Sequence, residues 1–550
     1  MKNNAFPFIA LLTALAFTAC HQGRDAEKYN PSDVPTTYAP AEKSKKEVVN
    51  MDNLMMDKSA IAETEAPPPG FMPEPAPDKH NTEEYDKIVE NDFKDARQNP
   101  LSTFSIDVDK AAYSNVRRFL NGNQMPYKDA VRTEEMVNYF TYDYPNPRGE
   151  HPFSIATEVA DAPWNKAHRL VLVGIQGKKL DYDRLKPCNL VFLVDCSGSM
   201  DDPNKLPLLK KSLAMMLDGL SSKDKVAIVA YAGAAGLVLP STSATEKKDI
   251  LAAIDKLNAG GSTAGGEGIE LAYKVAKDNL IKDGNNRIIL ATDGDFNLGT
   301  SSTSELVRLI EEKRKDDIYL TICGFGMGNY KDGRMEQISN AGNGNYFYID
   351  NIKESEKVFT KELRANLFTI AKDVKIQVEF NPAKVKGYRL IGYENRLLAK
   401  EDFEDDTKDA GELGAGHTVT ALYEIIPAGS SETVRTSPDL KYQDAPKPKS
   451  GSNELLTVKF RYKPIGSEKS QLIEQPLVDN EMRFEQTSEN FRFAAAVAAF
   501  SMLLRESAYK GEASYEAVKQ MAKNAKGRDE EGYRAEFITL VEKADLLRDK

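Results

Sequence analysis

Three oxygen-bearing side chains, Asp195, Ser197 and Ser199, alternate in the stretch Asp195-Cys-Ser-Gly-Ser-Met200. Oxygens at that spacing can converge on one point, which suits a hard divalent cation. Mg2+ in particular takes few protein carboxylates and keeps open or water-filled positions. The same pattern also suits a plain turn, since polar residues at strand ends are commonly turn formers. Two further segments offer oxygens that could decide the matter: Gly260-Gly-Ser-Thr-Ala-Gly-Gly266, which carries Thr263, and Ala291-Thr-Asp-Gly-Asp295, which carries Asp293. The glycines at 260, 261, 265 and 266 let that backbone come close to a ligand.

The elements that must position these oxygens are legible around them. Leu190 to Val194 is a continuous apolar run ending at Asp195, as expected of a strand covered on both faces. From about residue 170 to 370, apolar strands alternate with amphipathic helices. Lys205 to Leu220 reads as a helix, Val226 to Tyr231 as a strand, Gly266 to Leu280 as a helix and Arg287 to Thr292 as a strand. Glu305 to Lys313, Ile318 to Phe325 and Tyr346 to Ile349 continue the alternation before a closing helix through Phe359 and Leu363. Such a pattern predicts an α/β fold, a doubly wound, mostly parallel sheet whose ligands sit beyond the carboxyl ends of the strands. If Asp195 ends one strand and Asp293 ends its neighbour, both carboxylates reach the same edge. Thr263 can then approach from the loop between them.

Asp195-Cys-Ser-Gly-Ser199 with Thr263 and Asp293 resembles the metal-ion-dependent adhesion site of von Willebrand factor type A domains. The resemblance implies Mg2+, or another divalent cation such as Mn2+ or Ca2+, with Ser197 and Ser199 as direct ligands. It makes Thr263 a direct ligand when a partner is bound, and Asp195 and Asp293 the negative groups that hold metal and water. One coordination position is then completed by a carboxylate from a protein partner. Cys196 occupies a variable position and should point away from the metal, and Asp295 reads as a loop-surface carboxylate. Longer blocks, among them Val108-Asp-Lys-Ala-Ala-Tyr-Ser-Asn-Val-Arg-Arg-Phe-Leu120, Gly324-Phe-Gly-Met-Gly-Asn-Tyr330 and Tyr388-Arg-Leu-Ile-Gly-Tyr-Glu-Asn-Arg396, look like the bacterial YfbK-like family of such proteins. That likeness covers nearly everything after Leu101.

The 550-residue chain has room for several domains. Ala5 to Ala19 has the length of a signal h-region, and Phe17-Thr-Ala-Cys20 resembles the bacterial lipobox, which implies lipidation of Cys20 and an envelope location. His21 follows where some bacteria place the aspartate that retains lipoproteins at the inner membrane, so the outer membrane is preferred. Residues 21–100, with Pro67 to Pro77, read as a low-order spacer, and 101–169 as an N-terminal region specific to the family. Residues 371–465 read as a β-rich domain, with the strands near Phe153 and Leu170 available to its sheet, and 466–550 as a helical C-terminal region. Asp107 and Asp109 share one face of an alternating segment and read as a solvated edge. His417 reads as structural. Cys188, Cys196 and Cys323 read as buried thiols.

A net charge of -11 with no basic cluster argues against nucleic acid. There is no His-Glu-x-x-His, no Gly-rich phosphate loop ending in Lys-Ser/Thr and no paired nucleophile and base, so an enzyme and a small-molecule substrate are not expected. The expected function is a membrane-anchored, Mg2+-dependent protein-binding module. The alternative is a structural or assembly role in the envelope in which the metal only stabilises loops.

Overall fold

Leu190, Phe192 and Val194 point to one side of the strand Cys188–Asp195, and Val191 and Leu193 to the other; each set enters its own hydrophobic core. Burial on both faces explains why the run is apolar throughout rather than alternating. In the computed structural model this strand is interior to a six-stranded sheet. Residues 82–179, 186–261, 265–294, 303–328, 330–362, 368–408, 410–436, 438, 441–442 and 451–548 are described. The strand order is Tyr346–Ile349, Ile318–Phe325, Asn285–Thr292, Cys188–Asp195, Lys225–Tyr231 and Ala235–Ser243, all neighbours parallel except the last pair. Helices Leu206–Leu217 and Lys247–Asp255 cover one face, and Gly265–Asp278, Thr303–Lys313 and Asp332–Ala341 the other. This is the doubly wound, mostly parallel architecture that the strand and helix alternation predicts.

The flanking β-structure is built from chain on both sides of that domain. Thr369–Phe380 pairs antiparallel with Leu101–Ser105 and with Glu454–Pro464. A second antiparallel sheet runs Lys94–Asp95, Val385–Ile391, Thr418–Pro427, Asn165–Gly177 and Phe153–Ala162. Phe104, Val173 and Ile175 meet Ile376, Val378, Tyr423 and Phe460 in a common core between the two sheets. The strand Asn165–Gly177, which leads into the parallel sheet along the chain, therefore belongs to this sandwich. The helices Ala111–Asn121, Thr133–Asn138, Glu489–Leu504, Tyr515–Asn524 and Tyr533–Leu547 share a separate core against its outer face.

Two sequence expectations are corrected. Asp109 is not on a solvated edge: the strand ends at Ser105, and Asp109 is buried, accepting from the Tyr346 amide at 2.8 Å and from Arg396 at 2.8 Å. Residues 82–100 are not spacer. Thr82 and Glu84 donate backbone hydrogen bonds to the carbonyls of Gly328 and Tyr330, and Lys94–Asp95 adds a strand to the sandwich. Proline-poor, charged 82–95 has no apolar stripe to reveal this, because its anchors are backbone groups.

Buried ion pairs tie the flanks to the central domain. Arg117 bridges Asp350 at 2.5 Å and Glu354 at 2.6 Å, and Arg132 pairs with Asp332. Beside them, Lys357 opens a π-helical turn, Lys357–Glu362; it donates to the Tyr139 carbonyl at 2.6 Å and lies 3.1 Å from the centre of the Tyr139 ring. Burial pushes its ammonium down from the ordinary 10.5 to about 7, against the pull of Glu354 and Glu362. Across that window the unfolded chain binds a proton that the folded chain does not. Stability contributed by this group therefore rises with pH from about 7 to 10, by at most about 1.4 kcal/mol per unit. Denaturant unfolding should show Lys357→Met most favourable relative to the parent at pH 7 and losing that advantage by pH 9.5; parallel pH profiles for the two proteins would contradict the assignment.

Candidate metal centre

Parallel pairing of Cys188–Asp195 with Asn285–Thr292 sets Val194 opposite Ala291, so Asp195 and Asp293 emerge at the carboxyl edge of adjacent strands. Both carboxylates are 0 % exposed. Asp195 Oδ1 accepts from the Ser197 amide at 2.9 Å, while Oδ2 accepts from the Tyr231 hydroxyl at 3.1 Å and the Thr292 hydroxyl at 3.2 Å. These donors are neutral. Burial, and next to it the Asp293 charge, pushes the Asp195 carboxyl up to about 6, against the hydrogen bonds of Ser197 and Tyr231. A carboxylate this deeply buried is expensive to keep ionised unless a cation approaches it.

The turn after the strand is exposed on its outer side. Ser197 is 3 % exposed, but Gly198 and Ser199 face solvent, and the two serine Oγ atoms lie 3.0 Å apart. In an octahedral shell with metal–oxygen distances of about 2.0–2.1 Å, adjacent ligands are about 2.9 Å apart. The hydroxyl pair therefore fits one edge of such a shell. Cys196 turns into the apolar core, as its position between ligands requires, and burial pushes its thiol up to about 12.

The base of the glycine loop is pinned to this turn. The Gly198 amide donates to the Gly261 carbonyl at 3.1 Å, and the Gly260 amide to the Cys196 carbonyl at 2.8 Å. Gly261 has φ +84°, a left-handed conformation that suits glycine. Thr263 and Asp295 lie outside the described residues, as does Cys20. Asp195, Ser197, Ser199 and Asp293 are thus assembled at one edge, with Gly260 and Gly261 held beside them. The donor set of hydroxyls and carboxylates fits Mg2+ or Mn2+, which prefer oxygen.

Three participants escape the sequence reading. Tyr231 and Thr292 end strands beside Asp195, and only the sheet register shows that they orient it. Lys205, which reads as an ordinary first residue of a helix, reaches back with its Nζ 2.8 Å from Asp293 Oδ2; the pair is 5 % and 0 % exposed. Its stem lies over Gly326, φ +76°, where any Cβ would collide with Lys205 Cε.

A second acidic group is close enough to chelate. Asp109, Glu135 and Glu336 bring carboxylate oxygens within 4.8 Å of one another. Guanidinium groups already fill that space: Arg396 reaches Asp109 and, at 3.1 Å, Glu336, and Arg132 pairs with Glu135. Burial raises all three carboxyl pKa values, against the pull of Arg396 on Asp109 and Glu336 and of Arg132 on Glu135 and Glu336.

The chain is similar to known proteins over most of its length. Residues 189–361 match the von Willebrand factor type A domain model, 79–172 a model described as von Willebrand factor, and 365–547 the model "Uncharacterized protein YfbK, C-terminal". "Uncharacterized protein YfbK" of Escherichia coli (strain K12) is 45% identical over 478 residues, which cover 85% of this chain and 82% of that one. "Uncharacterized protein YwmC" of Bacillus subtilis (strain 168) is 26% identical over 203 residues, 34% of this chain and 87% of its own. Among solved structures, "von Willebrand factor type A from Catenulispora acidiphila" aligns at 16% identity with a TM-score of 0.39, covering 70% of this chain and 89% of that one. A parallel sheet carrying Asp195 and Asp293 at one edge, a matched type A domain and a relative aligned along most of both chains lead to one conclusion: this chain belongs to the YfbK family of von Willebrand factor type A proteins.

Proposed function

We propose that the protein is a divalent-cation-dependent protein-binding module, held on a membrane by lipid at Cys20 and presenting the Asp195–Ser199 turn to a partner that offers an Asp or Glu side chain. The observation that carries this reading is the pair of fully buried carboxylates, Asp195 and Asp293, at the sheet edge that also carries the exposed residue Ser199, whose hydroxyl lies 3.0 Å from that of Ser197. Buried negative charge fixes a cation, and an open side lets an outside oxygen complete its shell. Ser197, Ser199 and Thr263 would supply neutral ligands, with Asp195 and Asp293 holding charge. Bound there, the cation supplies a Lewis-acid contact for the partner carboxylate. Recognition suits these groups better than catalysis, because the Ser197 and Ser199 hydroxyls turn toward each other and Ser197 also toward Asp195, as oxygens gathered for a cation would. On this reading the location is the cell envelope, the outer membrane being preferred, and residues 21–81 give reach.

Saturating Mg2+ or Mn2+ should raise the melting temperature by a few degrees, since ligand at about 100 times its Kd adds about 2.7 kcal/mol. Asp195→Asn should abolish that shift; an equal shift in the variant would remove Asp195 from the site. Capture of a partner from envelope extracts should fail in EDTA and with Ser199→Ala, whose exposed side chain leaves the fold intact. Recovery unchanged by both treatments would rule the adhesion mechanism out. Fractionation tests the anchor separately: Cys20→Ser should move the protein out of the membrane fraction, and retention there would refute the lipid attachment.

A further inference from the structure

Lys205 stands next to the proposed ligands without being a suitable ligand itself. An ammonium has three donors and no acceptor, so it cannot coordinate a metal. Yet it is buried, it grips Asp293 Oδ2 at 2.8 Å, and the chain keeps Gly326 in a left-handed conformation directly against its stem. Burying a lysine side chain costs desolvation and rotamer freedom, which a purely structural role could avoid with an apolar residue of the same size. Its position is better understood through the charge of the site. Among the buried described groups, Asp195 and Asp293 carry two negative charges and Lys205 one positive charge, while Ser197, Tyr231 and Thr292 are neutral. These buried described groups together leave a single negative charge.

The geometry points to Lys205 as the residue that makes the loaded site demand an anion, holding Asp293 half-neutralised so that a divalent cation leaves a net positive charge open to solvent at Ser199. This rests on the metal reading above and extends it to partner choice. Without Lys205 the two carboxylates would neutralise the cation by themselves, and an incoming carboxylate would gain little beyond a water molecule. With it, the bare cation binds less tightly, and the cation and the partner's carboxylate each strengthen the other's binding. That coupling is reciprocal by thermodynamic necessity. In a water-poor pocket one unit charge a few ångströms away is worth about tenfold or more in affinity.

The test is Mn2+ binding by the full chain, followed by electron paramagnetic resonance of free Mn2+, with and without glutarate as a carboxylate probe. The parent should bind Mn2+ more tightly when glutarate is present. Lys205→Met should bind Mn2+ alone about tenfold more tightly than the parent and lose most of the glutarate effect, whereas Lys205→Arg should keep the parental coupling. A Lys205→Met protein that folds only when Mn2+ is supplied supports the same conclusion, because the exposed debt is then the uncompensated charge of Asp293. Equal Mn2+ affinity and equal glutarate coupling in the parent and Lys205→Met would overturn the role of Lys205 and leave the metal site standing. No Mn2+ uptake by the parent would overturn the metal site itself, and this inference with it.

Discussion

Charge without water is the constraint that organises this protein. Asp195 and Asp293 sit at the carboxyl edge of two adjacent buried strands because the sheet register leaves them nowhere else to go. Two carboxylates so placed repel each other in a medium that screens poorly. The surrounding groups soften the problem: a tyrosine, a threonine and an amide donate to Asp195, and Lys205 pairs with Asp293. A fold that served stability alone would put apolar residues there.

The contrast with the second acidic cluster sharpens this argument. Asp109, Glu135 and Glu336 are also buried and also adjacent, but two guanidinium groups occupy the space between them and link the N-terminal helices, the central domain and the sandwich. Arginine suits that task because its planar fork bridges several carboxylates at once. Around Asp195 the rim carries small hydroxyls, Ser197 and Ser199, 3.0 Å apart, and Ser199 faces solvent. Proximity of acids is common to both places; what differs is the groups set among them, guanidinium at Asp109 and neutral donors at Asp195.

How much of this could be read from residues depends on whether the signal is local. The apolar run Leu190 to Val194 and the helices that follow declare a parallel sheet, because double-sided burial needs every position apolar. The Asp-x-Ser-x-Ser turn and Asp293 are legible for the same reason: each ends its own strand. Lys205 is not, since a helix-initiating lysine is normally solvated, and nothing in its neighbours reveals that its stem crosses to Gly326. The sandwich is legible only as separate strands. Thr369–Phe380 lies between Leu101–Ser105 and Glu454–Pro464, partners far apart along the chain that alternation cannot match. Asp109 misleads because a short alternating segment looks the same whether its polar face meets water or an arginine from a distant strand.

The chain connections decide which edge of the parallel sheet the sandwich meets. The central domain begins at Cys188, the amino end of its sheet, shortly after the sandwich strand Asn165–Gly177. On that same side the loop residues Gly344 and Asn345 share a cavity of about 180 Å³ with Thr369, Gly411 and Glu412 of the sandwich. The flanking β-structure therefore abuts the edge opposite the carboxyl ends of the strands, where Asp195 and Asp293 lie. The 82–84 segment does reach toward the carboxyl side, binding Gly328 and Tyr330 through its backbone; Tyr330 in turn packs close against Gly294, one residue beyond Asp293. It fixes the outer wall of the site and leaves Gly198 and Ser199 exposed. Among the described residues, the sandwich thus lies behind the sheet, and the 82–84 strap reaches the side of the turn through backbone groups.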